Sequence, residues 1–344
     1  MPQFDFVVVV RVTTGCSVSC SFCGFSRELQ RRHKTIDVAG LRTLGASLQE
    51  FQFQFKRRVL VSWLGGEPFQ WKLWLPISEE FQQRFGLALG VTTNGLAFRS
   101  LVMRRRATQL FSQITISVDG LADEHDSMRQ SPDMFHALKA CVTDLRREAS
   151  NAANRPLLRV NTILTRRNIG QFTAFCREMA VWGFDELTFN PLGGNERPEF
   201  FADQHLTPDQ VKTFGDQLPD IRRQMIEQGL LIRGSDRYVS RMLSSARQTA
   251  VPIDDCAPGT EIVFVDELGR LSPCSFTSES LSIPIHQLET GFEIAQLANR
   301  FRQRQRQCRP VCCNDCHATH VFEKFARPVK DEDCQVASKI RSTV

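Results

Sequence analysis

A chain of 344 residues, 42% hydrophobic and 24% charged, is long enough for one large α/β barrel with a modest second unit, and its composition excludes a disordered protein. The net charge of +5 is small and spread out. The knot Arg104, Arg105, Arg106 and the alternation of Arg302, Arg304 and Arg306 with Gln read as solvated helix faces, which implies no nucleic-acid partner and leaves an acidic or phosphorylated substrate open. No apolar stretch is long enough to cross a bilayer, and the residues before Phe6 show neither a basic leader nor a small-residue cleavage site. The expectation is a cytoplasmic chain whose twelve cysteines are thiols, and clustered thiols in a reducing compartment are more often metal ligands than disulfides.

Phe6 to Val10 is a β-branched run of the kind buried on both faces of a sheet. A cysteine-bearing loop follows, then helix-like apolar spacing from Val38 to Phe53. Val59 to Trp63 reads as a strand that stops at Gly65-Gly66. Leu87 to Thr93 runs into Asn94-Gly95, and Ile114 to Val118 into Asp119-Gly120. Leu158 to Leu164 and Glu186 to Asn190 are further strand candidates, with helical patterns at Phe135 to Glu148 and Gly170 to Val181. This alternation predicts a parallel sheet with helical crossovers. About six βα units fit before residue 200, a partial (β/α)6 TIM-like barrel rather than the usual eight-stranded one. Turn residues follow the strands, at the carboxyl ends where such sheets bind ligands. The predicted division is a core at 1–205, a cysteine-free helical linker at 206–253, and a second unit at 254–344 with strands near Glu261 to Val265 and Leu271 to Cys274.

The cysteines fall in two nests. Cys16, Cys20 and Cys23 share one loop; Cys256, Cys274, Cys308, Cys312, Cys313, Cys316 and Cys334 lie in the last part of the chain; Cys141 and Cys176 read as small apolar core residues. A [4Fe–4S] cluster normally takes four thiolates, so three on one loop would leave one iron open for chemistry. A zinc loop lacking its fourth ligand is the competing reading.

The C-x3-C-x2-C loop, with Phe22 before its last cysteine and a buried strand before its first, resembles the signature of radical S-adenosylmethionine (radical SAM) enzymes. Further matches follow in that family's order. Gly65-Gly66-Glu67-Pro68 resembles the segment that binds the methionine amino group; glycines let backbone approach a ligand, and Glu67 offers an acceptor for an ammonium. Thr93-Asn94-Gly95 and Ser117-Val118-Asp119-Gly120 resemble the third- and fourth-strand segments that reach the cofactor. His125, Asp126 and Arg129 resemble the following stretch, whose Arg commonly pairs with the methionine carboxylate. The resemblance spans roughly residues 5 to 200. It implies that an electron entering the cluster is passed to the sulfonium of SAM, and that the 5′-deoxyadenosyl radical so released takes a hydrogen from substrate.

Cys256, then Gly269-Arg-Leu-Ser-Pro-Cys274, then Cys312-Cys313-Asn-Asp-Cys316 and Cys334 resemble the auxiliary-cluster domain called SPASM, or its shorter twitch variant. The match is imperfect, because the family's C-x2-C-x5-C run is missing and seven cysteines fall short of the eight that two clusters need. The resemblance gives Cys256, Cys274 and Cys316 to an inner cluster, and Cys308, Cys312, Cys313 and Cys334 to an outer one. Zinc held with His317 or His320 is the alternative.

A SPASM-like tail implies oxidative modification of a ribosomally made peptide or protein, by crosslinking, thioether formation or epimerisation. It also implies an external donor such as flavodoxin or ferredoxin, with a separate peptide-recognition protein as a further partner and no membrane. Oxidation or epimerisation of a small molecule such as an aminoglycoside is the competing activity, and a cluster- or zinc-carrying scaffold the non-enzymatic one. Asp236 and Tyr238, in a loop-like Gly-Ser-Asp-Arg stretch, are the candidates for proton transfer near substrate.

Overall fold

The computed structural model describes residues 4–152, 155–193, 197–249 and 256–308, with the backbone alone for 307 and 308. Six parallel strands run in chain order: β1 (Phe6–Thr13), β2 (Val59–Gly65), β3 (Ala88–Thr93), β4 (Gln113–Ser117), β5 (Leu157–Leu164) and β6 (Glu186–Pro191). These are the six βα units expected, each within two residues or so of its sequence pattern. Helices Val38–Phe55, Met134–Ser150 and Phe172–Trp182 cross back between them.

The sheet continues on both sides. The short strand β7 (Leu231–Ile232) joins β6 in parallel, so the segment after residue 206 is not wholly helical; two residues are too few to leave a pattern in sequence. Beyond β1 come β8 (Ile262–Val265), parallel to it, then β9 (Arg270–Ser272), antiparallel to β8, and β10 (Ile283–Pro284), antiparallel to β9. The result is one ten-stranded sheet in the order β10-β9-β8-β1-β2-β3-β4-β5-β6-β7.

Alternation along the strands divides the interior. Val8, Val10, Val61, Leu89, Ile114, Leu158 and Leu187 face the helices and form the main core with Leu41, Leu48, Leu138 and Phe175. On the other face Val7, Val9, Leu60 and Phe264 make a small apolar cluster. The same face of β4 to β6 instead buries Gln113, Thr115, Arg159, Glu186 and Thr188. A buried charge requires a partner. Arg159 donates to Glu186 at 2.6 and 2.9 Å and to Gln113 at 3.2 Å, and Arg233 pairs with the same carboxylate. The barrel lining is thus apolar beside β1 and polar beside β5 and β6.

Candidate active site

Because β1 to β4 are parallel, the loops after them gather at one edge. The cysteine loop follows β1 and is hydrogen-bonded inward: Val18 N donates to Cys16 Sγ at 3.5 Å and Phe25 N to Cys23 Sγ at 3.4 Å. Cys20 is buried and Cys16 and Cys23 partly so. Burial pushes all three thiols up, Cys23 to about 11, and each is raised further by a neighbouring negative group. A metal bound to this loop as thiolates would release protons on loading.

The two glycines at the end of β2 serve this loop. A Cβ on Gly65, whose φ is +153°, would lie 2.2 Å from the carbonyl oxygen of Thr13, and one on Gly66 would lie 2.3 Å from that of Gly15. Gly66 N donates to Thr13 O and Glu67 N to Gly15 O, each at 2.8 Å. In the fold the two glycines bring their backbone against the start of the cysteine loop. Gln70 Nε2, donating to Ser17 Oγ at 2.6 Å, ties the same two loops again.

Glu67 is buried with its carboxylate well occupied. Oε1 accepts from Thr93 Oγ1 (2.8 Å) and Phe69 N (3.2 Å), and Oε2 from Asn94 N (2.8 Å). Burial raises its carboxyl pKa, against these hydrogen bonds and Arg129, which favour the charged form. Glu67 caps the 3-10 turn that opens with Pro68 and joins the β2 loop to the β3 loop. Asn94 Oδ1 accepts from Leu96 N, while its Nδ2 is buried without a partner. That unmet donor belongs to the residue whose backbone N bonds Glu67, and it suits a polar ligand.

Ser117 ends β4, half-buried. Asp119 is fully buried: Oδ2 accepts from Arg129 Nε at 2.8 Å and Nη2 at 2.5 Å, and Oδ1 from Ile163 N at 2.9 Å. Its backbone N donates to His125 Nδ1 at 3.0 Å. Arg129, buried at the end of the helix Ala122–Arg129, places its guanidinium 5.6 Å from the centre of the Phe22 ring. The same helix end grips the cysteine loop, since Ser21 N donates to Met128 O at 3.0 Å and Gln130 Nε2 to Ser21 Oγ at 3.1 Å. Nothing in the sequence spacing pointed to Ser21, Met128 or Gln130.

Asp236 is not in a loop: Ser235 caps the helix Asp236–Ala246, and Asp236 is its exposed first residue, 3.3 Å from Arg222. Tyr238 is buried, and its hydroxyl donates to Asn190 Oδ1 at 3.4 Å. Asn190 Nδ2 and Thr188 Oγ1 both donate to Asn161 Oδ1, at 3.0 and 2.9 Å, extending a polar row across β5 and β6 that sequence reasoning did not single out.

In the second nest, Gly269 (φ +72°) and Asp266, whose Oδ1 accepts from Leu268 N and Arg270 N, form the turn of the β8–β9 hairpin, and Cys274 follows β9. Gln305 Nε2 stands 3.8 Å from Cys256 Sγ, one helical turn before Cys308 ends the helix Leu297–Cys308. Cys312, Cys313, Cys316, Cys334, His317 and His320 lie outside the described residues. Cys141 and Cys176 are buried in the main core, as expected. Among the described residues no three His, Cys, Asp or Glu side chains converge on a single metal ion. A cluster, whose ligands bind different irons, does not require that convergence.

Residues 10–165 match the radical SAM superfamily model. The chain carries a radical SAM domain. The matched residues include the cysteine loop, Gly65 to Pro68, Thr93 to Gly95 and Ser117 to Arg129. Relatives of this chain include the AdoMet-dependent heme synthase of Methanosarcina barkeri, 22% identical over 289 residues that cover 78% of this chain and 76% of that protein. The mycofactocin maturase MftC of Mycobacterium tuberculosis is 21% identical over 312 residues, 89% of this chain and 74% of its own. Among solved structures, anSMEcpe with bound AdoMet and Kp18Cys peptide superposes with a TM-score of 0.64 at 12% identity, covering 98% of this chain and 99% of that one. At that identity the likeness is one of fold. Among the described residues no helix is long and apolar enough to cross a membrane.

Proposed function

We propose that this radical SAM enzyme holds a [4Fe–4S] cluster on Cys16, Cys20 and Cys23, binds SAM against it, and oxidatively modifies a ribosomally made peptide or protein. Three thiols on one loop are the right donor set for a cluster with one open iron. When bound, cluster and SAM together supply a 5′-deoxyadenosyl radical that takes a hydrogen from substrate. The protein's part is placement and exclusion of water.

Glu67 Oε2 accepts one hydrogen bond in the fold and keeps capacity for an ammonium. Asn94 Nδ2 offers a donor. Phe22, beside Arg129, offers an apolar face, and Thr93 and Pro68 hold Glu67 in place. Ser117 and Arg129 stand at the same edge for further polar contacts with the cofactor. Tyr238, joined to the polar row through Asn190, is better placed for proton transfer near substrate than the exposed Asp236.

The residues 1–205, 206–253 and 254–344 serve as core, connecting segment and auxiliary-cluster unit. At least one further [4Fe–4S] cluster belongs to the last, with Cys256 and Cys274 among its ligands and Cys308, Cys312, Cys313, Cys316 and Cys334 as the others available. Such a cluster gives a substrate radical an electron acceptor; flavodoxin or ferredoxin supplies the first electron. The site of action is the cytoplasm, and a separate recognition protein would deliver the peptide.

The observation that carries the peptide reading is whole-chain likeness to a structure holding AdoMet with a peptide, together with a maturase relative aligned over 89% of the chain. The heme synthase relative favours a second reading, a small-molecule substrate, in which an aminoglycoside remains a candidate. The test is anaerobic turnover with short peptides encoded beside the gene, deuterated throughout. Deuterium appearing in 5′-deoxyadenosine, with a matching change in peptide mass, is expected. Transfer from a small molecule and from none of the peptides would overturn the peptide reading.

A further inference from the structure

We propose that the segment from Arg27 to Lys34 is a docking surface for a small acidic protein that delivers single electrons at the cysteine loop. This rests on the reading that Cys16, Cys20 and Cys23 hold a cluster for what the electron reaches; the docking itself needs no cluster.

Arg27-Glu-Leu-Gln-Arg-Arg-His-Lys34 packs four cations and a histidine against one carboxylate, soon after Cys23. The four cations and His33 are exposed. Backbone bonds tie both ends of the segment to residues on either side of Cys16. Arg27 N donates to Val18 O at 3.1 Å at one end. At the other, Thr14 N donates to Lys34 O at 2.9 Å, Lys34 N to Thr14 Oγ1 at 2.8 Å, and Ile36 N to Val12 O at 3.1 Å. Between them, a Cβ on Gly15 would lie 3.1 Å from His33 Nδ1. The cations therefore ride on a strap whose course is fixed beside Cys16.

Their charge is left unmatched. Elsewhere exposed arginines face carboxylates: Arg42 and Arg84 pair with Glu80, Arg58 with Asp5 and Arg105 with Glu148. Among the described residues Arg27, Arg32 and Lys34 form no ion pair. The carboxylates around the strap are engaged by other groups. Glu28 lies 3.9 Å from Arg197, and Glu267 lies 3.1 Å from Arg11, whose guanidinium covers Phe25. Asp37 accepts from Gly40 N at 2.7 Å.

Unmatched positive charge on a fixed surface steers an anionic partner and orients it, and gains more in rate of encounter than in affinity. That suits a carrier that must arrive, give up an electron and leave. A peptide being modified has to reach the radical, whereas these cations face solvent; an electron carrier needs only to come close. One electron passes from the fully reduced flavin of such a carrier, which becomes the semiquinone, to the oxidised cluster, and no atom is transferred.

The test is binding of an acidic flavodoxin and an acidic ferredoxin to the reconstituted full chain, at low and high salt, with iron measured in every variant. Stopped-flow oxidation of the flavodoxin hydroquinone, without SAM, gives the rate. Arg27→Glu/Arg32→Glu/Lys34→Glu is expected to weaken binding and slow flavin oxidation about tenfold or more at low salt. The matching Gln variant should fall between it and wild type, and the differences should shrink at high salt. Dithionite should reduce every variant to the same extent. Arg302→Glu/Arg306→Glu, on the basic helix Leu297–Cys308, should match wild type. Should the Glu variant lose iron, the Gln variant carries the comparison. A strap variant with wild-type iron, affinity and rate overturns the proposal, as does a wild type that binds neither carrier. So does a strap variant that loses the short peptides encoded beside the gene while still binding both carriers. If the strap variant loses the carriers but no electron uptake depends on Cys16, Cys20 and Cys23, the cluster reading fails and the docking surface stands.

Discussion

A Cβ on Gly66 would sit 2.3 Å from the carbonyl oxygen of Gly15. The loop after β2 and the cysteine loop after β1 therefore cross at a separation only glycine permits. Gly66→Ala must push one backbone off the other and is expected to cost about 1–3 kcal/mol, the usual range for overpacking, and to lower the iron bound per chain. Gly170→Ala meets nothing within 4 Å and serves as the control. Denaturant melts and iron analysis on both variants check this; equal iron and equal midpoints would show that the crossing is slack.

Glu67→Ala is expected to weaken SAM binding more than it disturbs the cluster. Removing a charged acceptor typically loses about 1.5–3 kcal/mol, on the order of ten- to a hundredfold in affinity. The carboxylate also braces Thr93 and Asn94, so part of the loss comes from the β3 loop moving. An equilibrium titration with SAM that gives the wild-type affinity would show that Gly65 to Pro68 is only a turn.

Glu186 supplies the pH dependence. Burial alone would raise its pKa, but Arg159 and Arg233 overcome that and hold it below its ordinary 4.5. A depressed folded-state pKa gives stability that is complete above the unfolded value and lost as pH falls from about 4.5 through the folded one. Glu186→Gln, which leaves two buried guanidinium groups facing a neutral amide, should lose about 3–5 kcal/mol at neutral pH. Its stability should then fall less than wild type below pH ~4.5. Parallel acid limbs in urea melts would mean the network contributes nothing through ionisation.

The number of auxiliary clusters is open to direct count. In Cys16→Ala/Cys20→Ala/Cys23→Ala, about four irons per chain would mean one further [4Fe–4S] cluster and about eight would mean two. At least four are expected. Stoichiometric zinc without iron would remove the auxiliary-cluster reading and much of the case for a peptide substrate.

Most of the strand order was legible because β1 to β6 are short, mostly apolar runs, and β2, β3 and β4 run into Gly, Asn or Asp. Glu67, Asn94 and Asp119 were legible because they follow those strands directly, and Arg129, at the end of the helix Ala122–Arg129, was legible only through the resemblance. What the glycines do was not, since Gly65 and Gly66 meet a loop some fifty residues earlier in the chain. The grip of Gln130 on Ser21 spans 109 residues and leaves no local pattern. Asp236 looked like loop because Gly-Ser-Asp reads as a turn, while the Ser235 side chain, accepting from Tyr238 N at 3.2 Å, makes it a helix start.

The most direct measurement is reductive cleavage of SAM by anaerobically reconstituted protein with and without the first three cysteines. Wild type should release 5′-deoxyadenosine under dithionite. Cys16→Ala/Cys20→Ala/Cys23→Ala should release none while keeping the wild-type circular dichroism spectrum. A folded triple variant that makes 5′-deoxyadenosine at the wild-type rate would contradict the assignment of the radical-generating site to this loop.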